Sequence, residues 1–325
     1  MTEAQTIQID GVVITHEPVD SSDEQYARFC DAYRRREDTL TLVHQLNQMV
    51  KAVQKHRGIS MGLLGGNAVF EGDFVVLQHQ LERRLATLET FASSVGGTLS
   101  DKDKENLHLA WVTIRQNWQD DDLSDNFELH SHFIEQLQGM VYSLAKQLEK
   151  PLTPELVDAH DLQADPDDSN ASYPRMFKQI EVLNFVAKQL PDMIEQIAKV
   201  RGLGTYAAAT GLVDYPHDRK LRFLLQCSRQ QSEKLRHQAE RLESIVGDSI
   251  PGLGDLKNLE LKLMFLLNTI DKDVLSGTTI TASSHQLFKL ATDLIDVYWN
   301  VVNQGLALVR RWHEDDLEAW LRLAD

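Results

Sequence analysis

Cysteine, proline and long apolar runs are all scarce in this chain. Its two cysteines, Cys30 and Cys227, stand far apart and have no partners at metal-ligand spacing. That argues against a disulfide-stapled fold or a cysteine zinc site, and reads as two free thiols in a reducing compartment. No run of about 18 apolar residues occurs, and no basic-then-apolar leader opens the sequence. Neither a transmembrane span nor a signal peptide is therefore expected, and the expected location is the cytoplasm. Positive charge is also in deficit: 33 basic residues face 49 acidic ones, a net charge of −16. A field of that sign repels nucleic acid and anionic membrane at long range. It disfavours a small anion too, unless a local group of cations overrides it.

Motifs of common enzymes are missing as well. There is no phosphate-binding loop, no Gly-x-Ser-x-Gly and no Cys-x-x-Cys. Di-iron bundles need two Glu-x-x-His motifs and two further glutamates; this chain has one such motif, Glu105 to His108. His130 and His132 are two residues apart, so they face different sides of a helix. No metal, no cofactor and no catalytic activity are expected. The basic run Arg34-Arg35-Arg36 reads as a solvated helix face in an acidic protein.

What is present is helix. Eight prolines and 17 glycines in 325 residues leave room for long segments with three- and four-residue apolar spacing. Residues 1–21 differ, with two alternating β-like runs around Asp10-Gly11, a hairpin signal. The first long helix is expected from Ser22 to about Leu64, with a seam through Val43, Leu46, Val50 and Val53. Three more follow before residue 150, punctuated by Gly65-Gly66, Gly96-Gly97 and the acidic run Asp120 to Asp122. Residues 151–172 form an acidic, proline-bearing linker. Residues 173–325 repeat the plan, beginning with a long helix to about Thr210 that Pro191 should kink. The expected fold is all-α: two related antiparallel four-helix bundles, 22–150 and 173–325, joined by long helices and the acidic linker.

The repeat shows in particular residues. Lys55-His56-Arg57-Gly58-Ile59 answers Lys199-Val200-Arg201-Gly202-Leu203. Ser131-His132 with Leu137 and Val141 answers Ser284-His285 with Leu290 and Leu294. Stepping by seven through Val43 and Val50 lands on Arg57; stepping through Leu190, Ile194 and Ile197 lands on Arg201. Both arginines therefore lie on core-facing stripes. A guanidinium there must meet an anion, either a ligand or a buried Asp or Glu. The glycine after each allows close approach of a backbone or ligand. His56 is a neighbouring donor whose helical position suggests the polar flank.

The stretch Val53-Gln54-Lys55-His56-Arg57-Gly58-Ile59-Ser60 resembles the signature of nitrate- and nitrite-sensing (NIT) domains. So does the layout of eight helices with a second Arg-Gly site at Arg201-Gly202. The resemblance implies a sensor that binds nitrate or nitrite through Arg57 and Arg201, with His56 beside them. Where the family often has a basic pair before the glycine, this chain has His56-Arg57. A further family arginine late in the second half has no counterpart, since residues 255–270 offer only Lys257 and Lys262. Family members usually carry an output module, and none is recognisable here. The expectation is thus a sensor acting in trans on a separate output protein, as a homodimer. The rival expectation is a ligand-free helical scaffold or adaptor.

Overall fold

The computed structural model describes residues 6–9, 12–15, 21–150, 152, 173–277 and 279–324. Almost all of the linker 151–172 lies outside the described residues, as do parts of the segment 1–21. Strands β1 (Thr6–Ile9) and β2 (Val12–Thr15) pair antiparallel. All other regular structure among the described residues is helical. In chain order the helices are α1 (Ser21–Leu64), α2 (Glu71–Ser94), α3 (Asp101–Arg115), α4 (Leu123–Gln147), α5 (Arg175–Asn184), α6 (Leu190–Thr210), α7 (Tyr215–Val246), α8 (Gly252–Asp273) and α9 (Ser284–Ala324). No helix among the described residues is long and apolar enough to cross a membrane.

The helix starts follow from local chemistry. Ser100 and Asp103 form a reciprocal capping box on α3. Asp122 caps α4 through the amide of Asp125, and Asp214 caps α7 through that of His217. Gly211 ends α6 in the left-handed conformation that a side chain resists. Pro191 brings a specific outcome. It has no N–H, and its ring would crowd the carbonyl four residues back. The preceding turn, Phe185–Gln189, widens to a π-helical one, with Leu190 N–H reaching the Phe185 carbonyl.

Helices α1 and α6 are the central pair. The first packs against α2, α4, α6 and α9; the second packs against α1, α7 and α9. Surrounded in this way, α1 buries nearly its whole circumference from Leu40 to Met61, and α6 does the same from Leu190 to Ala207. One contiguous core results, with residues from both halves. The crossing is close where each arginine is followed by glycine. A Cβ on Gly58 would lie 2.8 Å from Phe288, and one on Gly202 would lie 2.7 Å from Met61 Sδ. Both cysteines are unpaired.

Candidate functional site

Because α1 is covered on all sides, polar residues in its middle must find partners indoors. Gln54, His56, Arg57 and Ser60 are all completely buried. The guanidinium of Arg57 meets the Glu195 carboxylate of α6 edge to edge: Nη1 donates to Oε1 at 2.7 Å and Nη2 to Oε2 at 3.1 Å. Gln54 Nε2 donates to Oε2 at 2.9 Å, and Lys199 Nζ stands 3.9 Å from Oε1. Every group aimed at this carboxylate is a donor, and three of the four contacts come from α1. Arg57 Nη1 also donates to Ser131 Oγ on α4, and its Cζ lies 5.3 Å from the Phe127 ring. Ser131 also lines a surface groove of about 500 Å³, whose other walls include Asp121, Asp125, Glu128 and Glu135.

Arg201 is just as buried but differently served. Nη1 donates to Thr292 Oγ1 at 2.9 Å, and Nη2 to the Gln54 carbonyl at 2.6 Å. Its Cζ stacks 4.9 Å from Phe288. Its Nε–H has no acceptor, nor does that of Arg57. Burial, aided by the positive charge of Arg57 and opposed by Glu195 and Asp296, lowers the Arg201 pKa to about 9. Two buried guanidiniums thus stand near one buried carboxylate, which of the two only Arg57 contacts, and the crossing carries a positive surplus.

The two arginines occupy matching settings. Ser131 donates to the Phe127 carbonyl four residues back, and Thr292 donates to the Phe288 carbonyl four residues back. Each pair supplies one hydroxyl and one ring to one arginine. The structural counterpart of Ser131 is therefore Thr292, eight positions past the Ser284 that sequence matching selects. The apolar pattern of a helix nearly repeats every seven or eight residues, so a two-turn slip leaves it almost unchanged. By the Arg57–Arg201 offset, the counterpart of Glu195 is Lys51. That lysine is half-exposed and pairs with Asp296 at 2.9 Å. Arg201 consequently lacks the carboxylate that Arg57 has.

His56 does not lie on a polar flank; it is completely buried. The reason is that α4 covers that side of α1. His56 Nδ1 is 2.7 Å from His130 Nε2, and His130 Nδ1 is 2.7 Å from the Asn126 carbonyl. A carbonyl only accepts, so His130 carries its proton on Nδ1 and His56 donates to His130 Nε2. His56 Nε2 is left as a buried lone pair without a donor. Burial pushes His56 down to about 3 and His130 well below its ordinary value. Neither ring is a cation, so His56 adds no charge to the site.

Arg34 and Arg35 are exposed, but Arg36 is buried, so the basic run is not wholly a solvated face. Lys257 and Lys262 are exposed, as are Glu105 and His108. No group of three metal-ligating side chains occurs among the described residues. Sequence reasoning missed Glu195, Gln54 and Ser131. Glu195 lies on a second buried stripe of α6, Pro191, Glu195, Ala198 and Gly202. Three of those four residues are small or weakly apolar, so no hydrophobic periodicity marked it. No family model matches the chain, and no curated protein or solved structure does either.

Proposed function

We propose that the chain is a small-anion sensor, for nitrate or nitrite, that acts in trans on a separate output protein in the cytoplasm. In this reading 22–150 and 173–325 are two related four-helix units packed across α1 and α6, and the anion is held by Arg57 and Arg201 where those helices cross. One observation carries it: two buried guanidiniums lie at the crossing and only one of them has a carboxylate bonded to it, so the crossing has a positive surplus. Such a surplus is costly unless an anion reduces it. The matched settings of the two arginines support the duplication, and the short signature around Arg57 supports nitrate or nitrite as the anion. A bound anion biases the way α1 lies on α6, which gives the signal a path to the surface.

The test is thermal unfolding in millimolar nitrate, nitrite, chloride and sulfate at fixed ionic strength. A selective rise with nitrate or nitrite is expected, because ligand at about a hundred times its Kd contributes about 2.7 kcal/mol. Arg201→Ala and Arg57→Ala should each remove the rise. A rise that survives both changes defeats the site assignment. The second reading, a ligand-free scaffold or adaptor, is favoured by the complete bidentate pairing of Arg57 with Glu195. No selective shift with any of the four salts would decide for it.

A further inference from the structure

Glu195 sits where an anion would. Its two oxygens take the Nη1/Nη2 edge of Arg57, whose two parallel N–H groups fit a planar oxyanion. Gln54 Nε2 adds a third donor, and Lys199 a cation at 3.9 Å. The carboxylate side chain is 5 % exposed, so solvent contributes almost nothing to its neutralisation. The other edges near the crossing are less suited to a ligand. Arg201 spends both terminal nitrogens on Thr292 and the Gln54 carbonyl, so it offers a ligand its Nε–H and its charge but no two-nitrogen edge. The helical framework does not itself call for an acid at position 195, since the matching position in the other half is Lys51.

We propose that Glu195 is a resident competitor: its carboxylate occupies the seat of the sensed anion, and sensing is the exchange of that carboxylate for a free planar monoanion. This rests on the sensor reading and names how the same site is regulated. The class of ligand follows from the seat. It takes a flat species with two oxygens on one edge and a single charge, such as nitrate, nitrite or formate, in place of a carboxylate of the same shape. A tetrahedral dianion such as sulfate does not fit that edge in the plane. Exchange also supplies the output. Arg57–Glu195 and Gln54–Glu195 are side-chain ties between α1 and α6. A free anion held on Arg57 cuts both, and the released carboxylate turns to Lys199, four residues along its own helix. The crossing then keeps only the bond from Arg201 Nη2 to the Gln54 carbonyl among these ties.

The experiment is calorimetric titration of the full chain with nitrate, nitrite, formate and sulfate, comparing the parent with Glu195→Gln and Glu195→Asp. The Gln variant keeps the shape and removes the charge; the Asp variant keeps the charge and withdraws it by one methylene. Circular dichroism at low temperature establishes that each is folded. Nitrate should bind Glu195→Gln at least tenfold more tightly than the parent, with Glu195→Asp in between and sulfate showing no such gain. If the parent binds nitrate and neither variant binds it more tightly, Glu195 is not in the seat and the exchange falls while the sensor reading stands. If only the variants bind, the seat is as argued and the sensor reading falls. If none of the three binds any planar anion, both fall. Should Glu195→Gln fail to fold, Glu195→Asp decides with the same sign.

Discussion

Cutting the Arg57–Glu195 pair should cost stability unequally, depending on which partner is removed. Breaking a buried ion pair costs about 3–5 kcal/mol, because one charge is left without its counter-ion. After Arg57→Met the stranded charge is the carboxylate. It keeps the Gln54 amide at 2.9 Å and Lys199 at 3.9 Å, and the field of Arg201 still favours it. The loss should fall near the lower end, about 3 kcal/mol. After Glu195→Gln the Arg57 guanidinium has no carboxylate partner, while the charge of Arg201 still acts on it. Arg57 keeps the Ser131 hydroxyl, an acceptor with no charge. Here the loss should approach about 5 kcal/mol, a large share of the 5–15 kcal/mol that ordinary domains possess. The double variant should cost at least about 2 kcal/mol less than the sum of the singles, since the second change removes a group already stranded. Urea unfolding followed by far-ultraviolet circular dichroism, in chloride-free buffer, measures all four species. A larger loss for Arg57→Met than for Glu195→Gln, or additive losses, would refute the charge balance drawn for the crossing.

Three further outcomes follow from the same contacts. Stability should fall as pH drops from about 6.5 towards 3, because burial lowers the folded-state pKa values of His56 and His313 to about 3 and that of His130 well below normal. The unfolded chain then binds protons the folded chain refuses, at about 1.4 kcal/mol per pH unit for each histidine, so unfolding free energies from urea titrations at pH 7 and pH 5 should differ by about 2 kcal/mol per residue; a stability that does not fall on acidification contradicts the neutral, buried rings. Gly58→Ala places a Cβ 2.8 Å from Phe288 and 3.1 Å from Arg201 Nε, and thermal melts should register a loss of about 1–3 kcal/mol. Gly139→Ala meets nothing within 4 Å in the middle of α4, and the same melts should show a gain of up to about 1 kcal/mol.

How much of this was legible beforehand depends on which signal each residue sends. The ends of α3, α4 and α7 are written in Ser100, Asp122 and Asp214, because an N-cap is a local bond between neighbours in sequence. The burial of Arg57 and Arg201 is written in period: each falls on a stripe whose other members are strongly apolar, so one discordant residue stands out. The partner of Arg57 is written nowhere local. Glu195 belongs to a stripe of Pro191, Ala198 and Gly202, which bury because α1 lies close, not because they repel water. Close approach of two helices selects small residues, and small residues dilute the periodicity that would reveal a buried acid among them. His56 was misplaced for a related reason. A helix with one covered side has a polar flank, whereas a helix with neighbours on every side has none, and the number of neighbours is a property of the tertiary fold. The residues that escaped notice are thus those whose role is set by how α1 meets α4 and α6. These contacts also decide whether the central charge is answered from inside the chain or by a ligand. Apolar pattern can place a cation in a core, but only the packing shows what answers it, and here the answer is a carboxylate on the facing helix.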